Sequence, residues 1–402
     1  MSLAALICAY HECEPDGQGL RATLQLAGRT LIERQARLAA AAGAHPIVIV
    51  VDRQTPPLSA ALERLRADGI AITVARNAGE AAFAIPSDAA LLLMADGLVA
   101  DESHVTRVLD AGGPVLLTLP DFGADDRFER IDGQSRWAGL ALLDGALLRQ
   151  TAAVLHDWDL QSTFLRRAVQ SGARQFSVAG ASADDRLTIA HRSEDLAHAE
   201  ARIVEGAAFE GRDWVSRFVL SPVEYAATRL LMPTPAVPEW LYGAAAGLSV
   251  IAFGFFLQGW LLPGVLLMLA VTPLDGIAER LARLRMVDPA NLRRWRRVLP
   301  WSAGAALAGL GIALREPSGW GCIVLAFTII AFLAALHGEA KGRIVEGRLF
   351  LAERKGLTWL LLPFAVTGLW ITGLSAMAIY AAGSFFWAQR HVHRPVPSRD
   401  ED

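Results

Sequence analysis

The sequence has too little cysteine for a disulfide framework. Its three cysteines are Cys8, Cys13 and Cys322, and Cys322 sits in an apolar run where it reads as a small buried hydrophobe. An excess of charge of either sign is also missing. A formal net charge of −3 gives no reason to expect a nucleic-acid partner. No cleavable leader is expected. Met-Ser-Leu-Ala-Ala-Leu-Ile has no basic stretch before it and the apolar run stops at His11, so the first half is expected to stay in the cytoplasm. Charge itself becomes sparse after Pro238. What abounds is apolar side chain, 53% of 402 residues, which is high for a wholly soluble protein. The expected organisation is a soluble part over 1–205, a joining helix over 206–238, a membrane part over 239–390 and a cytoplasmic tail over 391–402.

The first part alternates aliphatic runs with helical spacing. Strands are predicted at Leu3–Ala9, Pro46–Val51, Ile72–Val74, Ala90–Met94, Val115–Leu117 and Trp137–Leu143. Helices are predicted over Thr30–Ala42, Ser59–Arg66 and Gly79–Phe83. Continuous aliphatic strands of this kind argue for a Rossmann-like α/β unit with a parallel sheet covered on both faces. Ligands bind beyond the carboxyl ends of such strands. That places the loop from Cys8 to Arg21, with Gly17 and Gly19, at one mouth with Asp96. A lone Asp-Gly such as Asp96-Gly97 is also an ordinary turn.

Three stretches carry a resemblance here: Leu26 to Arg34 (LAGRTLIER), the strand end Leu92–Asp96, and Arg192 to Glu200 (RSEDLAHAE). Together they resemble the sugar-phosphate nucleotidyltransferases, in particular the inositol-phosphate cytidylyltransferase type. The resemblance implies that Gly17, Gly19 and Arg21 cradle nucleotide phosphates and that Asp96 is the first Mg²⁺ ligand. It implies CTP or a CDP-linked compound as ligand. The family's second metal Asp falls on His191, and its Lys falls near Ala22–Gln25, where there is no charge. Imidazole suits a hard, oxygen-preferring ion poorly.

Trp214, Phe218, Tyr225 and Trp240, with Arg212, Arg217 and Arg229 beside them, suit a helix lying in a membrane interface. An ordinary linker helix is the alternative. Six apolar segments follow: Trp240–Leu257, Leu261–Leu274, Val298–Leu314, Ser318–Leu336, Leu357–Gly373 and Leu374–Trp387. Several are shorter than the ~20 residues a lone span needs. Basic residues fill the connections after the second, fourth and sixth segments. By the positive-inside rule both termini are cytoplasmic, and the membrane is the inner one if the chain is bacterial.

Between the second and third segments stands Leu274-Asp-Gly-Ile-Ala-Glu-Arg280. It resembles the signature of the CDP-alcohol phosphotransferases, membrane enzymes that join phospholipid head groups. Asp275, Gly276 and Arg280 fall on the signature's second Asp, its Gly and its Arg. Its first Asp falls on Thr272, its Ala on Glu279, its later Gly on Pro289 and its last two Asp on Arg293 and Arg297. In the family four Asp hold two divalent metals, so the standard reaction is expected to be absent. The whole chain thus resembles a bifunctional cytidylyltransferase fused to an all-α, six-span CDP-alcohol phosphotransferase-like domain, with both motifs altered.

Three functions follow as expectations. The first is a degenerate scaffold or regulatory member of phospholipid or phosphoinositol-type lipid synthesis, paired with itself or with an active relative. The second is a working transferase with unusual Mg²⁺ ligands around Asp275, with Glu279 and with Glu339 or His337. The third is a lipid-binding or lipid-moving protein. Arg217 keeps a family position beside the substrate. Arg293 and Arg297 are either an anionic head-group site or plain positive-inside charge.

Overall fold

A computed structural model describes residues 2–13, 19–121, 126–155, 159–178, 187–208, 213–232, 234, 236–287, 289–340 and 347–392. The calls on Gly17 and Arg212 lie outside the described residues. The chain divides into two units, Met1–Ile203 and Val204–Asp402.

The first unit holds strands β1 (Leu3–Cys8), β2 (Gln25–Leu26), β3 (Arg29–Thr30), β4 (Ile47–Val50), β5 (Ile72–Ala75), β6 (Ala90–Met94), β7 (Leu98–Val99), β8 (Val115–Pro120), β9 (Ser135–Asp144), β10 (Arg174–Ser177) and β11 (Thr188–Ile189). Its helices are α1 (Leu31–Ala41), α2 (Pro56–Ala67), α3 (Ala78–Ala84), α4 (Glu102–Ala111), α5 (Gly145–Val154), α6 (Leu160–Gln170) and α7 (Leu196–Ala208). Seven strands form one sheet in the order β10-β8-β9-β6-β1-β4-β5. β1, β4 and β6 lie at its centre, run parallel and are nearly all buried, as their unbroken aliphatic sequences require. The sheet is not wholly parallel. β9 runs antiparallel to both β6 and β8, and the edge strand β10 is a polar, exposed strand beyond the expected ones.

Helix α1 starts where its sequence signals. The Thr30 side chain accepts from Glu33 N and the Glu33 carboxylate accepts from Thr30 N, a reciprocal cap that satisfies two orphan donors. Buried Gln35 on the same helix donates to Ala95 O at 2.9 Å and Leu98 O at 3.0 Å. It thereby clamps the turn that carries Asp96. Gly97 must be glycine: its φ is +73°, and a Cβ would lie 2.4 Å from Ala190 O.

The second unit holds α8 (Ser221–Leu231), α9 (Pro238–Leu257), α10 (Leu261–Leu284), α11 (Pro289–Ala313), the single turn α12 (Arg315–Ser318), α13 (Gly321–Ala340), α14 (Arg354–Thr367) and α15 (Trp370–Val392). Four helices are long and apolar enough to cross a membrane: Pro238–Leu257, Leu261–Leu284, Gly321–Glu339 and Trp370–Val392. Six spans were expected. Of the other two, α11 spends its first turns on arginines and α14 has only 14 residues. The break between the last two helices also lies earlier than expected. Gly368, in a left-handed conformation, ends α14.

The unit is packed inside out. Small residues such as Ala245, Ala252, Ala306, Ala326 and Ala381 are buried, whereas Trp240, Leu266, Trp301, Trp320, Phe327 and Ile379 are exposed. Gly264 lets the Phe256 ring approach, since a Cβ there would sit 2.4 Å from it. Small residues at helix contacts with large apolar ones outside is the arrangement a lipid surround favours.

Candidate functional site

In the first unit, the ends of β1 and β6 bring Tyr10, His11 and Asp96 together. Asp96 is 2% exposed, and its Oδ2 accepts from Tyr10 N at 2.8 Å and His11 N at 2.7 Å. Asp96 N donates to Gln161 Oε1 at 3.1 Å. The other oxygen, Oδ1, is buried with no hydrogen-bond partner among the described residues. His11 lies between two carboxylates, Nδ1 at 3.4 Å from Asp96 and Nε2 at 3.9 Å from Asp159. Its contact with Asp96 raises the imidazole pKa, against the opposing effect of burial. Burial pushes the Cys8 thiol, the Tyr10 phenol and the Glu129 carboxyl up.

The loop from His11 to Arg21 closes on itself at its base. Cys13 N donates to Gly19 O at 3.0 Å and Arg21 N to His11 O at 2.9 Å. Gly19 has φ +98°, and Arg21 Nε donates to Glu12 O at 3.1 Å. Gly19, Arg21 and Asp96 therefore share one mouth. His191 lies beside it, because Ala190 N donates to Gly97 O at 2.8 Å across the β7–β11 pair. Glu33 and Arg34 of the family-like stretch serve the fold. Glu33 is fully buried among Arg29, Arg37 and Arg64, and Arg34 pairs with Asp101.

In the second unit, Asp275 on α10 lies against the first turn of α14. It pairs with Arg354, and its Oδ1 is 3.2 Å from Lys355 Nζ. Lys355, itself buried, also donates to Ser216 Oγ at 2.9 Å and Glu224 Oε1 at 3.3 Å. Glu224 on α8 is 1% exposed and takes Arg280 at 2.9 Å. Its carboxylate rests on Gly276, where a Cβ would lie 2.2 Å from Oε1. Thr272 is also committed. Pro273 has no N–H for Leu269 O, and the Thr272 hydroxyl donates there instead at 2.7 Å. It accepts from Trp359 Nε1 at 3.2 Å.

Glu279 belongs to a separate pair system, with Arg283 at 3.1 Å and Arg296 at 3.6 Å. Arg217, Arg293 and Arg297 are exposed. Sequence reading assigned no role to His11, Asp159, Gln161 or Trp359, and read Arg354 and Lys355 only as positive-inside charge. One signal for Glu224 was present. Glu224 and Thr228 are four apart and form a polar stripe on α8 away from exposed Phe218 and Leu230.

Mg²⁺ is the ion that both resemblances imply, and among the described residues neither set of donors fits it. Asp275 already faces two cations, and a dication 4 Å from a guanidinium is repelled by roughly 8 kcal/mol at an effective dielectric near 20. Asp96 offers one unpartnered oxygen, but beside it stands an imidazole inclined to be charged. Among the described residues no group of three His, Cys, Asp or Glu is placed to hold a metal ion.

The sequence matches no family model and no curated protein. Among solved structures, the chain is similar to a protein described as a glucose-1-phosphate thymidylyltransferase from Bacillus anthracis, in complex with a sucrose. The identity is 12% and the TM-score 0.38, over 50% of this chain and 94% of that one.

Proposed function

We propose that the protein is a membrane-anchored scaffold or regulatory member of phospholipid- or phosphoinositol-type lipid synthesis, a degenerate relative of CDP-alcohol transferases that pairs with itself or with an active enzyme. The observation that carries this reading is the closure around Asp275. Arg354 and Lys355 supply positive charge at the signature's remaining carboxylate, and Glu224 covers its glycine. Side chains thus occupy the ground that transfer chemistry needs for metal and substrate phosphate. The lipid class rests on the resemblance of Leu274–Arg280, and the membrane on the four long apolar helices.

The test is thermal stabilisation of the full chain in detergent by CDP-diacylglycerol and by a CDP-inositol compound, each with and without Mg²⁺. A ligand at a hundred times its Kd would add about 2.7 kcal/mol of stability, enough to read as a shift of several degrees. The expected result is no Mg²⁺-dependent shift. A Mg²⁺-dependent shift with CDP-diacylglycerol that Asp275→Ala abolishes would sink this reading and favour a transferase that still binds its donor through metal.

A second reading has one observation in its favour, the unpartnered buried oxygen of Asp96 at a mouth beside Gly19 and Arg21. On that reading the first unit binds CTP or a sugar phosphate, with a hydroxyl or amino group of the ligand donating to that oxygen. Its mark is stabilisation by CTP that Asp96→Asn removes while Asp275→Ala leaves it intact.

A further inference from the structure

The run from Arg280 to Arg297 holds seven arginines, and the structure sorts them. Arg280 is taken by Glu224, and Arg283 and Arg296 by Glu279. Arg285 is 4% exposed and donates to the carbonyls of Leu231, Met232 and Thr234 that end α8. The guanidinium of Arg294 lies 5.6 Å over the Trp295 ring. Arg293 and Arg297 remain, both exposed and four residues apart on one face of α11. Four residues further on the same stripe comes Trp301, 79% exposed. The stripe changes from guanidinium to indole within one turn.

Its depth is set by packing on the other side of α11. Trp295 lies against Gly243, its ring 3.4 Å from where a Cβ would be. Gly243 is about 7.5 Å along α9 from Pro238 at 1.5 Å per residue. The arginines therefore stand beside the first turns of an apolar, membrane-length helix, not beyond its end. A group that satisfies this stripe must put an anion at Arg293 and Arg297 and an apolar body at Trp301. Paired guanidiniums favour phosphate oxygens, which they bind through planar forks.

We infer that Arg293, Arg297 and Trp301 form a site for a phospholipid of net negative charge, the arginines on its phosphate and the indole along its glycerol and upper acyl chain. This rests on the membrane reading above but not on the loss of transferase chemistry.

The full chain, reconstituted in phosphatidylcholine nanodiscs, tests it. A minor fraction of either brominated phosphatidylglycerol or brominated phosphatidylcholine is added, and the Trp301 signal is taken as the difference from Trp301→Phe. Each basic residue near an anionic lipid enriches it about fivefold, so the phosphatidylglycerol should quench Trp301 at least about twice as strongly. Arg293→Gln/Arg297→Gln should abolish the preference without changing the melting temperature, since both side chains are exposed. Arg315→Gln, whose side chain stacks on Trp320, should not. Equal quenching by the two lipids, or a preference that survives the double substitution or is lost equally in Arg315→Gln, overturns the site. Quenching by neither lipid would sink the membrane reading as well.

Discussion

Glu224 and Gly276 compete for one space, and only glycine lets the carboxylate reach both Arg280 and Lys355. Gly276→Ala should displace Glu224 and destabilise the protein by about 1–3 kcal/mol, the usual cost of overpacking. Thermal unfolding in detergent would read it. Combined with Glu224→Ala the two losses should fall short of additive, because both remove the same ion pairs. Glu33 makes a parallel case in the other unit. Burial raises its carboxyl, but hydrogen bonds from Arg64 and then from Thr30 outweigh that and hold it at about 2. Its contribution is therefore present above the unfolded value of 4.5 and is lost as pH falls toward 2. Glu33→Gln leaves three arginines around a neutral amide and should cost about 3 kcal/mol or more at neutral pH. His11 has the opposite sign. Its pKa is raised in the fold, so its stabilisation is complete below the ordinary value of 6.5 and fades as pH rises above it. The melting temperature of the native chain should fall between pH 6 and pH 8 relative to that of His11→Gln, roughly the range over which an imidazole titrates. A constant difference across that range would show that His11 is not charged between Asp96 and Asp159.

At the scale of elements, what could be read from sequence was what local pattern encodes. β1, β4 and β6 follow from unbroken aliphatic runs, and α1 from Thr30, Glu33 and an apolar stripe. The direction of β9 could not be read, because an aliphatic run looks the same in either sense. β10 (Arg174 to Ser177) is polar and exposed, so nothing in its sequence marked a strand. Asp96, Asp275 and Arg280 were visible as residues, but their partners were not. His11 N reaches Asp96 across 85 positions, Arg354 reaches Asp275 across 79 and Lys355 reaches Glu224 across 131. Charges that read as a positive-inside cluster are partly structural for the same reason. Arg285 caps α8, and Lys355 is buried in an ion network. Helix α8 shows how a face can mislead. Its buried side carries Glu224 and Thr228, while Val223 and Leu230 are exposed, so in water the helix would be inverted.

At the scale of the molecule, the two units differ in what they leave outside. Among the described residues of the first, the large apolar side chains that stand exposed are Phe83, Val154 and Phe176, scattered over α3, α5 and β10. In the second, exposed tryptophan, phenylalanine, leucine, isoleucine and valine run along α9, α10, α13 and α15. Full burial of one such side chain is worth about 1.5–3 kcal/mol, so the second unit cannot leave them all in water without finding another apolar phase. The first carries no such demand, and its central strands are covered from within its own chain. Expressed alone through the end of α7 at Ala208, it should remain in the supernatant after membranes are pelleted and melt in one cooperative transition. The complementary fragment from Asp213 onward should sediment with membranes and need detergent for extraction. A soluble, monodisperse second fragment would show that its apolar belt is covered by protein, and would turn the exposed helices from lipid-facing surfaces into contacts between copies of the chain.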